Sequence, residues 1–549
     1  MRTVTRLTAA AGAVSTLALL CACAAGSAAD GPTGPGADAT PVAGGTVVYG
    51  HQQEAECVFG GWIEQAYLSY NILDSLVALD DDGEVVPWLA TAWTASDDLL
   101  TYTLTLRDDV TFTDGSRLTA GVVAYNFDRW LAGGNSTARA WLAGYYASAE
   151  AADDTTLLLH LSRPYPRLLE NLSQGYFGIQ SQQALETRTD EENCEQPIGS
   201  GAFAVEKWNR GQNIVLVRND DYQWAPANAG HQGPAYVERV DWRYVPDATT
   251  RVAALRGGET DLIYDVPAVD WKNLGNEGFE QLRYVTGGRP QQLSFTTTTG
   301  PFTDEKVRKA FAYSLDRKKI VETIGQGLIP YEGNGAVSQA TPGYSQKAAD
   351  TYSYDPATAD ELLDAAGWTE RDDDGTRLKD GQRLHITLPY AAGATITADG
   401  ASILQGVQQQ AKAVGFDVEL VPFPRSAGLA GAYTKPEERD LQVGYWTAVN
   451  AGILYITWRP ATPEWPNGSN SAFYDDPELE RIILEANSEP DVDAQNALYE
   501  QAQEYIADRA LSIGLFDRIS TLAISPRLQG VRQEHAQGGP VFHDAHFVD

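Results

Sequence analysis

Asp440-Leu-Gln-Val-Gly-Tyr-Trp-Thr-Ala-Val-Asn-Ala-Gly-Ile-Leu-Tyr-Ile-Thr-Trp-Arg-Pro460 opens as a strand and then abandons the strand pattern. Leu441 to Trp446 reads as a buried strand, and small residues then surround Asn450 from Thr447 to Gly452. Tyr445 and Trp446 stand before that run, Tyr455 and Trp458 after it. A strand that ends in aromatics and a small polar loop is how a rigid scaffold presents a pocket. An ordinary core strand with a surface loop has the same composition, so the rest of the chain decides.

A chain of 549 residues exceeds one hydrophobic core and implies several domains. Its 74 acidic against 40 basic residues give a net charge of −34, which excludes nucleic acid as a partner because phosphates need a positive surface. The N-terminus reads as a sorting signal. Arg2 and Arg6 precede an apolar run from Leu7 to Ala22 that is too short for a comfortable membrane span. Leu20-Cys21-Ala22-Cys23 is similar to a bacterial lipobox, with residues 1–22 removed and Cys23 lipidated. Residues 23–44 are nearly free of large apolar side chains and read as a flexible tether. The expected location is the outer face of the cytoplasmic membrane, with the bilayer as a partner through the lipid. Outside the cytoplasm the remaining pair, Cys57 and Cys194, is most simply a disulfide.

Along the body, strands are expected at Gly45–Tyr49, Leu76–Leu79 with Glu84–Val86 as a hairpin, Thr101–Leu106, Val110–Thr113, Thr155–Leu161, Ile214–Arg218 and Glu238–Tyr244. A Gly-rich turn at Pro197–Phe203 enters another. The second half alternates helix and strand, which implies an α/β domain. A helix over Asp304–Leu315 has Thr303 as its expected N-cap. Asp355-Pro356 and Asp476-Pro477 each start a helix, and Ala401–Val414 stops at Gly415. Asp80-Asp81-Asp82-Gly83 and Asp372-Asp373-Asp374-Gly375 lack calcium-loop spacing and read as turns.

No catalytic fingerprint is present. The Gly-rich turn is neither a P-loop nor a nucleophile elbow, and no His-Glu-x-x-His or dinucleotide motif occurs. Among seven histidines, His543 and His546 have metal-like spacing but fall in a strand-like pattern on opposite faces, so no metal and no cofactor are expected.

Several segments together resemble the large extracellular solute-binding proteins of ABC importers, of the peptide/nickel type. They are Asp74-Ser75-Leu76-Val77 with Val86-Pro87-Trp88-Leu89-Ala90; Leu106 to Gly115; Pro197-Ile198-Gly199-Ser200-Gly201-Ala202-Phe203; Val307-Arg308-Lys309-Ala310-Phe311; and Tyr354-Asp355-Pro356 through Trp368. The resemblance implies an α/β, two-lobed periplasmic-binding-protein fold of the large, three-subdomain kind. Lobe I would take residues 45–290 and 523–549, with an extra subdomain near 75–195, and lobe II residues 291–522. Crossings near Gly287–Ser294 and Ala523–Gln529 would form the hinge. A monomer would close on its ligand and dock on the permease subunits, doing no chemistry itself.

Position in that fold nominates Glu54, Phe59, Trp62, Tyr70, Asn71, Thr296, Thr297, Thr298, Tyr445, Trp446, Asn450 and Trp458 as ligand-binding residues. In peptide-binding members an Asp after the Gly-x-Trp region pairs with the peptide amine. Here Asn450 is the nearest match, and an amide cannot offer an ammonium the charge pairing of a carboxylate. The expected cargo is therefore a peptide-like or other small amphiphilic solute. An oligosaccharide is the alternative, since 13 Trp and 26 Tyr permit stacking on sugar faces. Classes outside transport are a secreted hydrolase and a surface receptor without a transporter.

Overall fold

The protein is described by a computed structural model covering residues 41–548, apart from 60–62, 135, 332, 334, 394 and 464–466. The sorting signal, Cys23, most of the tether and Trp62 lie outside the described residues.

A seven-stranded mixed sheet organises the first body. Its order is Glu280–Val285, Ile519–Ile524, Leu262–Tyr264, Thr46–His51, Arg239–Tyr244, Asn213–Arg218 and Phe203–Asn209. Thr46–His51 runs parallel to both neighbours, and its side chains are buried from Val47 onward except for the half-buried Val48. A separate four-stranded antiparallel sheet, Ala90–Ala95, Thr101–Leu106, Thr156–Leu161 and Tyr146–Ala151, follows from the threonine–leucine alternation. The helix Ala120–Arg129, capped by Thr119, packs on it through Val123 and Phe127.

The second body has a three-stranded antiparallel sheet, Leu441–Thr447, Gly288–Phe295 and Ser512–Phe516, and a parallel pair, His385–Ala391 with Asp417–Phe423. Phe295, Phe302, Phe311 and Phe416 meet edge to face in its core. The helix Ala398–Val414 stops where Gly415 takes φ 105, a conformation that favours glycine.

Four expectations change. The helix Ile63–Ile72 was not legible: its described side chains are buried almost all round, so no 3.6-residue stripe marks it. Val110–Thr113 is a tight turn, with Phe112 N–H bonded to Ser116 O and a single bridge from Thr111 to Arg117. Asp304, not Thr303, caps Glu305–Tyr313, because its carboxylate accepts from Lys306 N–H. The chain re-enters the seven-stranded sheet at Ile519, ahead of the second crossing expected at Ala523–Gln529.

The resemblance-bearing turn has a packing explanation. Ser200 Oγ, Trp224 Nε1 and Tyr222 OH all donate to the buried Asp74 carboxylate. A Cβ on Gly199 would lie 2.1 Å from Ile72 O, so backbone packs directly on backbone. Cys57 and Cys194 are bonded and close a 137-residue separation.

Candidate functional site

Two short segments carry the chain between the seven-stranded and three-stranded sheets, residues 286–287 and 517–518. They touch each other: Thr286 N–H and Oγ1 both donate to Arg518 O, at 2.9 and 3.2 Å. Gly288 then takes φ 92, and a Cβ there would lie 2.3 Å from Trp446 O. Glycine is what lets Gly288–Phe295 close on the strand end that carries Tyr445 and Trp446.

Strand ends from both bodies meet at this crossing. The His51 ring stacks on Tyr264 at 4.8 Å. Arg518 donates from Nη2 to Tyr264 OH at 2.6 Å, and its guanidinium lies 4.2 Å from the centre of the Tyr445 ring. Burial pulls His51 down to about 3, so its ring is neutral at physiological pH.

The opposite face of the strand Leu441–Thr447 carries Trp446, Gly444 and Gln442, paired across to Arg289, Gln292 and Ser294. Partners in an antiparallel pair share a face, so Arg289 stands beside Trp446. Its guanidinium lies over Gly444, where a Cβ would come within 2.9 Å of Nη2. Arg289 Nη1 donates to Ser471 Oγ at 3.3 Å. Arg439 donates from Nε to Tyr433 O at 2.9 Å and lies 5.0 Å from the centre of the Phe473 ring. The two arginines are 8% and 5% exposed. Among the described residues neither makes an ion pair. Burial lowers both to about 10, and for Arg289 the charge of Arg439 adds to it.

Asn450 lies on a hydrogen-bonded seam. Its Nδ2 donates to Glu170 Oε2 at 3.1 Å and to Asn171 Oδ1 at 3.2 Å, and its Oδ1 accepts from Gly452 N–H. Asn171 in turn donates to Tyr165 OH, and Arg167 holds Glu170 at 2.5 Å and Gln495 at 2.7 Å. Tyr145 stacks on Tyr165, meets the Tyr455 ring edge-on and accepts from Asn487. The segment 145–171 is thereby joined to the helices that follow Asn450.

The other nominated residues scatter. Glu54 accepts from Trp208 Nε1 and Gly211 N–H, which fixes it to the Phe203–Arg218 hairpin. Phe59 packs on the core. Asn71 is buried and bonds Tyr67 O, Pro540 O and Phe542 N–H, clamping its helix to the C-terminal segment. Tyr70 meets Trp88 and lines, with Asn71, a small pocket bounded by Asp74, Tyr222, Glu534 and His543. That pocket is lined by first-body residues. Thr296 and Thr297 bond Arg439 O and Ala472 O, while Thr298 is exposed. Trp458 is core, 4% exposed within the helix Ile453–Trp458. Of the nominated residues that are described, the structure gathers Tyr445, Trp446 and Asn450 near the crossing.

Sequence reasoning missed Arg289, Arg439, Arg518, Tyr264 and Glu170. Arg289 did leave a signal: an arginine after two glycines, at the head of a strand that is otherwise buried. Glu170 and Tyr264 left none, because their role depends on long-range contact.

His543 does join a cluster, with His231 and Asp544 rather than with His546. The rings of His231 and His543 stack at 4.1 Å with 9° between their planes. One ion cannot lie in two parallel stacked ring planes, so this arrangement does not fit a shared metal. His231 Nδ1 lies 2.8 Å and His543 Nδ1 3.2 Å from Asp544 Oδ1. Their other nitrogens face Pro234 O and Gly233 O. Burial alone would raise the Asp544 carboxyl. His543, Gly230 N–H and Arg532 outweigh burial and hold it well below the usual range. The cluster locks the C-terminal segment to the first body.

The profile described as "Bacterial extracellular solute-binding proteins, family 5 Middle" matches residues 84–475. The chain is 27% identical over 473 residues to a nickel-binding periplasmic protein of Escherichia coli K12, covering 84% of this chain and 86% of that protein. It is 28% identical over 436 residues to the glutathione-binding protein GsiB of Salmonella typhi, covering 78% and 80%. The structure of the oligopeptide-binding protein AppA from Bacillus subtilis, in complex with a nonapeptide, superposes with a TM-score of 0.80 at 22% identity. That match covers 93% of this chain and 100% of AppA.

Proposed function

The chain belongs to the bacterial extracellular solute-binding proteins of family 5, the non-enzymatic capture components of ABC importers, and from that premise we propose a lipid-anchored receptor for a small amphiphilic or peptide-like solute. Lobe I comprises residues 45–285 and 519–548, with the extra subdomain near 75–195; lobe II comprises 288–516. Cys23 holds the mature protein at the outer face of the cytoplasmic membrane. The monomer hands its cargo to permease subunits.

One observation carries the reading: the two crossing segments are joined by Thr286 and Arg518 at the point where strand ends from both bodies converge. Rotation about that contact would open and close the Tyr445 and Trp446 surface against lobe I, the hinge mode of binding. The relatives are named for nickel, glutathione and an oligopeptide, three unlike cargoes. Cargo is therefore set by site residues and not by the fold. Asn450 supports a ligand without a free ammonium at that position, since its amide already serves Glu170 and Asn171.

Native mass spectrometry of the purified protein tests the reading. A stoichiometric complex with an intact solute, and loss of uptake of that solute on gene deletion, are the expected results. Conversion of the bound molecule to product would make the protein a hydrolase, and unchanged uptake would make it a receptor without a transporter.

A further inference from the structure

Buried polar atoms without a hydrogen-bond partner are uncommon and call for a cause. On the sheet Leu441–Thr447/Gly288–Phe295 several gather on or beside the face that carries Trp446. Arg289 Nε, Arg439 Nη1, Gln292 Oε1 and Gln442 Oε1 are all buried and have no partner among the described residues. Both guanidinium groups are buried without an ion pair among the described residues: the charge of Arg439 further disfavours that of Arg289, and Glu438 offsets only part of the burial of Arg439. Such a charge persists only if something else rewards it. Arg439 is moreover held by residues in strained backbone: Tyr433, whose carbonyl it bonds, has φ 58, and Phe473, whose ring it covers, has φ 53. Strain of this kind in bulky residues concentrates at ligand sites. Gly444 leaves the room that the Arg289 guanidinium occupies.

We propose that Arg289 and Arg439 form an anion subsite beside Trp446, and that the solute carried by this protein bears a carboxylate. The guanidinium edges bind the carboxylate oxygens, Gln292 and Gln442 accept from the solute's own N–H or O–H groups, and Trp446 covers an apolar part. The assignment rests on the receptor reading, which it narrows to acidic cargo. The seam points the same way. Asn450 presents no carboxylate, and Glu170 is already held by Arg167 and Asn450, so nothing there favours a cationic solute.

The test titrates the full chain, stripped of any co-purified solute by reversible unfolding, with matched probes: tripeptide acids with their C-terminal amides, and hexuronates with the neutral hexoses. The expected result is binding of acids, with neutral twins weaker by roughly 100-fold, the scale of one lost charge-assisted contact. Arg289→Gln and Arg439→Gln each lose acid binding by a similar factor. Arg289→Met, measured without probe, raises the melting temperature, because a buried uncompensated charge has gone. Equal affinity for acid and neutral twins, or full affinity in Arg289→Gln, overturns the anion subsite and leaves the receptor reading standing. A lower melting temperature for Arg289→Met also overturns it, by making Arg289 structural. If no probe binds and native mass spectrometry of unstripped protein finds no solute, the receptor reading falls together with the subsite.

Discussion

Asn450→Asp is the most informative single substitution. It installs the carboxylate that the family resemblance leads one to expect there, yet the structure predicts harm. The amide nitrogen donates to Glu170 Oε2 and Asn171 Oδ1, and a carboxylate can donate to neither. The bond to Glu170 is charge-assisted, so its loss costs about 1.5–3 kcal/mol. The new charge would sit 3–4 Å from Glu170, where an effective dielectric near 20 gives a repulsion of about 4–5 kcal/mol. The pair can escape by binding one proton, which from a carboxyl reference near 4 costs about 4 kcal/mol at pH 7. The smaller figure governs, and the bound proton then bridges the two carboxyls while the bond to Asn171 stays unmade, so the total deficit at pH 7 is about 4–6 kcal/mol. The sign with pH follows. The folded variant holds a proton that its unfolded chain releases above pH 4, so its stability falls as pH rises from 4 to 7. Near pH 4.5 the deficit should shrink to about 1–2 kcal/mol. Asn450→Ala removes the same donors without adding charge and should lose about 1–3 kcal/mol with no such pH dependence. Calorimetry at pH 4.5 and 7, with hydrogen exchange over 165–171, reads all three proteins. Wild-type stability for Asn450→Asp at pH 7, or a deficit equal at the two pH values, would refute the seam.

Four further outcomes are expected. Reducing Cys57–Cys194, or replacing both with Ser, should lower stability by up to about 5 kcal/mol in the chain-entropy model, read as a drop in melting temperature with dithiothreitol. Burial raises Asp74 and Glu534 to about 7, so the folded state keeps protons that the unfolded chain releases. Their stabilisation is present below pH 4 and is lost as pH rises to 7, and Asp74→Asn should flatten that part of the melting profile. Gly199→Ala should cost about 2–3 kcal/mol, because its Cβ would strike Ile72 O and backbone cannot step aside, and soluble yield will report it. Cys23→Ser should release the protein from membranes into the medium, and continued sedimentation with membranes would remove the lipid anchor.

Legibility in the sequence followed the range of the interaction. Helix starts at Asp355-Pro356 and Asp476-Pro477 were readable because a cap and its helix lie within four residues. Strands such as Thr101–Leu106 were readable because alternation is local. Ile63–Ile72 was not, since a helix buried on every side has no face for periodicity to mark. Placement of the nominated site residues depends on range in the same way. Glu54, Asn71 and Thr296 are polar residues at strand or helix ends, the places where ligands bind, but each instead bonds backbone or side chains far along the chain.

Asn450 shows what that distinction means for function. From sequence its amide is a missing charge, a departure that only subtracts a peptide amine from the possible cargo. In the fold the same amide is a donor matched to Glu170, 280 residues away, and a carboxylate there would be repelled. Asn450 in place of a carboxylate and the buried Arg439 lie on one short stretch, and Arg289 faces that stretch from the neighbouring strand, each guanidinium with one nitrogen unsatisfied. Both changes move the electrostatics of the proposed ligand wall in one direction, away from cations and toward anions. On the proposed anion subsite, a cargo inferred from the family's peptide motif would take the wrong sign of charge. Reading which buried groups are paired, residue by residue, supplies the sign.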